Sequence, residues 1–155
     1  MDKEVEEKCL AKRTVTIEPS ASRISKKEIR NSLAAQHKNN SEYFLECAKN
    51  ISKSSTPLAA VLIAHFAMEH KANQLLAQLG YKVESHVCTQ IFLSRIAGRK
   101  DLAKNLSDIF TSRQSIGYRM NLKMSEENKK EAEKILNETV IPFFEEIEKL
   151  LKETE

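Results

Sequence analysis

Glycine and proline are scarce in this 155-residue chain, three of each, and tryptophan is absent. So few turn-forming residues exclude an all-β sandwich or barrel and favour long helices. Gly-rich loops are missing too, which excludes the Rossmann and P-loop cradles for phosphates and the nucleotide chemistry built on them. Aromatic residues make up only 6%. Those near the basic stretch, Phe92, Phe110 and Tyr118, are too few to suggest a platform for stacked single-stranded bases. The longest apolar run, Pro57 to Met68, is broken by His65 and is too short to span a bilayer. Met1 to Lys8 lacks the apolar core of a secretory signal. The three cysteines, Cys9, Cys47 and Cys88, are an odd number with no paired spacing. They read as reduced, buried or half-buried thiols of a cytoplasmic protein. None has the setting of a catalytic thiol. The charges nearly cancel, 25 basic against 22 acidic residues, so affinity for nucleic acid has to come from a local patch.

What is present is helical periodicity. With 41% hydrophobic and 30% charged residues, the length suits one domain with a real core. Residues 1–20 read as an appendage: a short charged helix from Lys3 to Leu10, an extended Thr14 to Glu18, then Pro19. Residues 21–155 read as the bundle. From Ser22 to Ser54, Ile29, Leu33, His37, Asn40, Phe44, Cys47 and Ile51 recur at helical spacing. Asn39, Asn40 and Ser41 have low helix propensity and mark a candidate break. Ser55, Thr56 and Pro57 restart the chain as a cap followed by proline, and the next helix runs to Leu79 before Gly80. That helix is apolar nearly all round, which makes it the central one. Ser85 caps a helix from His86 to Ala97, ended by Gly98, and Asp101 to about Met120 forms the next. Ser125 opens the last helix, which Pro142 should kink because its ring lacks an N–H and crowds the preceding turn. The expected architecture is all-α, an up-and-down bundle of four to five main helices with a short N-terminal appendage.

Three constellations bear chemistry. Arg113 and Tyr118 lie five residues apart on one helix, about 140° apart around the axis and about 7.5 Å along it. They can flank one phosphate-sized group without touching. The plain structural alternative pairs Arg113 with Asp108 or Glu84 and packs Tyr118 in the core. His65, Glu69, His70 and His86 form the second group, with His65 and Glu69 on one helical face as a metal pair would be. A buried hydrogen-bond network or a dimer seam explains it better, and no metal and no cofactor is expected. The third is basic: Arg95, Arg99, Lys100, Lys104, Arg113, Arg119 and Lys123 lie within thirty residues. On one face they would attract phosphates; otherwise they form a solvated surface.

In order along the chain stand Ala64 to Ala72 (Ala-His-Phe-Ala-Met-Glu-His-Lys-Ala), Leu79-Gly80-Tyr81, Glu84-Ser85-His86 and the Arg113…Tyr118 helix. This series resembles the HEPN domain, over roughly Lys26 to Leu151. The family's second helix carries a Tyr-Tyr-Ala-Met-Phe-His-like signature, here His-Phe-Ala-Met-Glu-His, and its Asp-Tyr has become Gly117-Tyr118. The resemblance implies a helical bundle, a homodimer, and a minimal nucleotidyltransferase as partner in a toxin–antitoxin-type pair. It also implies metal-independent ribonuclease chemistry through an arginine and a histidine four to six residues on.

Here the arginine is Arg113, but Tyr118 stands where the histidine belongs, and no histidine follows His86. A phenol with an ordinary pKa near 10 is about one part in 10³ ionised at pH 7, so it is a poor general base. Losing the base costs roughly 10²- to 10⁴-fold. His86 replaces it only if the Ser85 turn folds against the Arg113 helix. The expectation is therefore a non-catalytic or weakly catalytic half of the pair. It contacts a nucleotide or RNA through His86, Arg99, Arg113 and Tyr118, and no membrane is involved. A ribonuclease using Arg113 and a ligand-free interaction module are the alternatives.

Overall fold

The protein is described by a computed structural model covering residues 2–11, 19–119, 122 and 124–154. The order is α1 (Lys3–Val5) running into a wide turn (Glu6–Leu10), β1 (Ala21–Arg23), α2 (Lys27–Ser52), α3 (Ala59–Gln78) and β2 (Tyr81–Val83). It continues with α4 (His86–Arg95), α5 (Lys100–Gly117), α6 (Glu126–Ile135), a second wide turn (Leu136–Val140) and α7 (Ile141–Thr154). The fold is all-α, with one small antiparallel ribbon in which Ala21 faces Val83 and Arg23 faces Tyr81. No helix among the described residues is long and apolar enough to cross a membrane.

α3 lies at the centre, as its all-round apolar pattern predicts. Val61, Ala64, Ala67, Met68, Ala72 and Leu75 pack against Leu102, Leu106 and Ile109 of α5 and Phe143 and Ile147 of α7. Its entry is a turn: the Ala59 and Ala60 N–H groups donate to the Thr56 and Pro57 carbonyls, and the helix proper begins two residues after Pro57. Gly80 ends it with φ +93°, a left-handed conformation that favours glycine. A Cβ there would also stand 3.1 Å from Arg30 Cζ.

Two expectations need correction, and a third takes a specific form. The helical pattern begun at Ser22 starts at Lys27, because Ala21–Arg23 pairs as a strand with Tyr81–Val83 and the Ile24 N–H donates to the Gly80 carbonyl at 2.7 Å. No break occurs at Asn39 to Ser41. α2 is continuous, and the buried Ser41 hydroxyl donates to the Lys38 carbonyl at 2.8 Å. Pro142 interrupts the last helix through a single wide turn, in which the Ile141 N–H reaches back five residues to the Leu136 carbonyl. Such π turns relieve a helix at a point where the regular four-residue ladder cannot run. The extended Thr14 to Glu18 lies outside the described residues.

The cysteines also depart from expectation. Cys9 and Cys88 form a disulfide, and Cys47 alone is free. Both half-cystines are buried, with Val5, Phe92 and Leu76, in a second small core beneath α1. The spacing gave no hint because 79 residues separate the pair and α1 reaches α4 only in the folded chain. The bond removes the ground on which free thiols pointed to the cytoplasm. α1 is held further by Arg95, which bonds Glu4 at 3.0 Å and approaches Asp2 at 3.7 Å. Thiol titration in denaturant without reductant should find one thiol per chain, Cys47, and three would refute the bond. Reduction should lower folding stability by about 2–4 kcal/mol, measurable as a shift in the urea midpoint.

Candidate functional site

The apolar stripe of α5 (Leu102, Leu106, Ile109, Ile116) turns toward α3 and carries Arg113 half-buried onto the rim of α3. Its guanidinium lies 5.1 Å from the Phe66 ring centre and 5.9 Å from that of Phe110. Nη1 stands 3.3 Å from Nδ1 of His65. A guanidinium can only donate, so Nδ1 accepts and the proton of His65 sits on Nε2. That Nε2–H is buried, has no hydrogen-bond partner among the described residues, and lies 3.9 Å from Glu69 Oε2, beyond bonding reach.

Burial, with the Arg113 and His86 charges adding to it, lowers the His65 pKa from 6.5 to about 4, so the ring is neutral near pH 7. Burial also raises the Glu69 pKa, against the opposing pull of His86 and Arg113. The cluster therefore holds one permanent cation beside a neutral imidazole. Among the described residues no carboxylate lies within ion-pair distance of Arg113.

His86 reaches the same place from the other side. Ser85 Oγ caps α4 by accepting the Cys88 N–H. Inside, Thr89 Oγ1 donates to Asn73 Oδ1 at 3.0 Å, fixing α4 to α3 one turn along from Glu69. The His86 ring then stacks on Phe110 with centroids 4.5 Å apart. The Ser85 turn is thus folded against the Arg113 helix. Leu62, His86, Phe110, Arg113, Gln114, Gly117 and Tyr118 line one open cleft of about 750 Å³.

The structure brings three of the four sequence-chosen site residues together, His86, Arg113 and Tyr118. Arg99 stands apart at the other end of α5, bonded to Asp101 at 2.7 Å and Glu146 at 3.1 Å. Tyr118 is not a core residue. It sits past the end of α5 and is 88% exposed at the cleft mouth. The carboxylates considered for Arg113 are engaged elsewhere, Glu84 with Lys82 and Asp108 with Lys104.

The basic stretch is laced with acid. Arg95, Arg99, Lys104 and Arg119 each pair with a carboxylate, Arg119 with both oxygens of Glu131 at 2.8 Å. Lys123 lies outside the described residues. Among those residues no three His, Cys, Asp or Glu side chains converge as a metal site. His70 faces away from His65 and shares a proton with His37 of α2, Nδ1 to Nδ1 at 2.9 Å. Sequence reasoning missed two things, the His65–Arg113 contact and the surrounding rings of α2 and α3. A histidine inside an otherwise apolar helix was the available signal for the first.

Comparison with protein-family models, with curated proteins and with solved structures gives no match.

The lowered imidazole pKa values set a pH dependence. In the unfolded chain these rings protonate near 6.5, whereas folded His65 and His37 stay neutral until about pH 4. Between those values the unfolded state binds more protons, so stability is full above pH 6.5 and declines as pH falls to about 4. The urea midpoint should drop between pH 7 and 4.5. In His65→Gln that drop should shrink by on the order of 1–2 kcal/mol; an unchanged drop would show that His65 is not held neutral.

Proposed function

We propose that this chain binds a phosphate-bearing ligand, a nucleotide or RNA, in the Arg113 cleft, as the RNA-contacting half of a HEPN–nucleotidyltransferase pair. One observation carries the reading. Arg113 is anchored by a neutral imidazole beside two aromatic rings, and among the described residues no carboxylate forms an ion pair with it at the wall of an open cleft. A guanidinium so placed suits a phosphate, which it can meet with two parallel N–H donors. Arg95, Arg99, Lys104 and Arg119 of the basic stretch are each paired with a carboxylate, which sets Arg113 apart from them. The HEPN resemblance supplies the rest of the proposal: a homodimer and a minimal nucleotidyltransferase as partner.

A second reading, metal-independent RNA cleavage, is favoured by His86 sharing the cleft with Arg113. His86 would take the 2′-hydroxyl proton, Arg113 would face the charge developing at phosphorus, and the Tyr118 phenol would protonate the departing 5′-oxygen. This exchanges the usual order, because the base comes from α4 and precedes the arginine in the chain.

The two are separable. With ATP or a short RNA at about 100 times Kd, the melting temperature should rise by about 5–10 °C, and Arg113→Ala should abolish the shift. No shift with either ligand would dispose of the binding reading. RNA cleavage in EDTA, lost in both His86→Ala and Arg113→Ala, would promote the second reading over the first.

A further inference from the structure

We infer that the Arg113 cleft continues over α3 and α2 as a track for a single-stranded oligonucleotide, so that the ligand is a strand of several nucleotides and not a mononucleotide. The inference rests on the reading that Arg113 holds a phosphate. Its own ground is the placement of the aromatic rings.

Three aromatic side chains are exposed, Tyr43 at 66%, Phe66 at 38% and Tyr118 at 88%. They come from α2, α3 and the end of α5, far apart in sequence. Tyr118 borders the cleft at one end. Phe66 lies under the Arg113 guanidinium at 5.1 Å. From Phe66 the rings continue to Phe44 at 5.8 Å and from Phe44 to Tyr43 at 5.5 Å. On the far side of Arg113 they continue through Phe110 to His86. Arg113 thus stands between two runs of neighbouring rings, Phe66–Phe44–Tyr43 on one side and Phe110–His86 on the other.

An arrangement of this kind matches a single strand better than the alternatives. Every base offers a π face, and base–aromatic stacking tolerates any sequence, whereas the backbone needs only intermittent positive charge. A mononucleotide bound at Arg113 could use Tyr118 or Phe66 but would not reach Tyr43, two ring contacts beyond Phe66. An apolar partner face would gain little from a guanidinium that it must strip of water. The low aromatic content does not weigh against the track, because the fold gathers rings from three helices onto it.

The experiment uses the full chain and fluorescence anisotropy with two labelled probes, hexauridylate and the dinucleotide UpU. Hexauridylate should bind at least tenfold more tightly than UpU. Tyr43→Ala should weaken hexauridylate by about fivefold or more and leave UpU unchanged, whereas Arg113→Ala should weaken both. Tyr43 is exposed and makes no core contact, so its variant should keep the parent melting temperature. Equal affinity for the two probes, or a Tyr43→Ala chain that binds hexauridylate as the parent does, would overturn the track while leaving the phosphate site standing. Tyr43→Ala that converts a dimer to a monomer in sedimentation, with hexauridylate affinity intact, would assign the face to a second copy instead. Binding of neither probe would defeat the phosphate reading itself.

Discussion

A largely buried helix has few places to put a polar group except against a neighbour, and α3 carries several. That constraint organises the molecule. His70 is bonded to His37 of α2, Asn73 to Thr89 of α4, His65 to Arg113 of α5, and Lys71 to Glu148 of α7. These four polar side chains of the central helix thus address four different surrounding helices. Apolar packing alone tolerates sliding and rotation, since many arrangements bury similar area. Hydrogen bonds in a dry interior do not, because a displaced donor costs about 1–3 kcal/mol. Lys71, 1% exposed, shows this most clearly. Its ammonium is shared between Gln74 and Glu148 with the Phe144 ring nearby, an arrangement that fixes α7 in one register on α3.

The candidate site follows from the same rule with one difference. Elsewhere on this surface a basic side chain meets a carboxylate, as Arg99 meets Asp101 and Arg119 meets Glu131. Arg113 is held by a group that orients without neutralising. A neutral imidazole accepts one N–H, the Phe66 and Phe110 rings lie within cation–π reach of the guanidinium, and Arg113 lines the cleft. Pairing with a carboxylate would have stabilised the fold as well and would have cancelled the charge. The choice of partner, more than the presence of an arginine, separates this position from the other cations of α5.

Much of the fold was legible because its signals are local. Helix periodicity, the Ser85 cap and the glycines at 80 and 98 depend on neighbours a few residues away, and these fall where expected. The ribbon was not legible. Ala21–Arg23 has no strand pattern of its own, and its partner Tyr81–Val83 lies sixty residues on. The Cys9–Cys88 bond escaped for the same reason. At the site, Arg113, Tyr118 and His86 were visible by type and order, yet their convergence depends on how α4 and α5 pack. Arg99 was chosen on charge alone, and charge alone does not distinguish a paired arginine from an unpaired one. Phe44 stands on the α2 stripe and packs against the core, whereas Phe66 of the apolar central helix is partly exposed, because periodicity reports which residues share a face and not whether that face is covered.

One member of the α3 set breaks the rule that the others obey. His65 satisfies Arg113 through Nδ1, and the same bond forces its proton onto Nε2, where nothing accepts it. The nearest acceptor, Glu69, stands 3.9 Å away and is itself pushed by burial toward holding a proton. A fold chosen for stability alone would close that gap with a small rotation of Glu69, since an orphaned buried N–H costs about as much as a hydrogen bond contributes. The gap lies directly behind the one unneutralised arginine of the cleft. Arg113 is thus oriented by a ring whose own second nitrogen is left without a partner among the described residues.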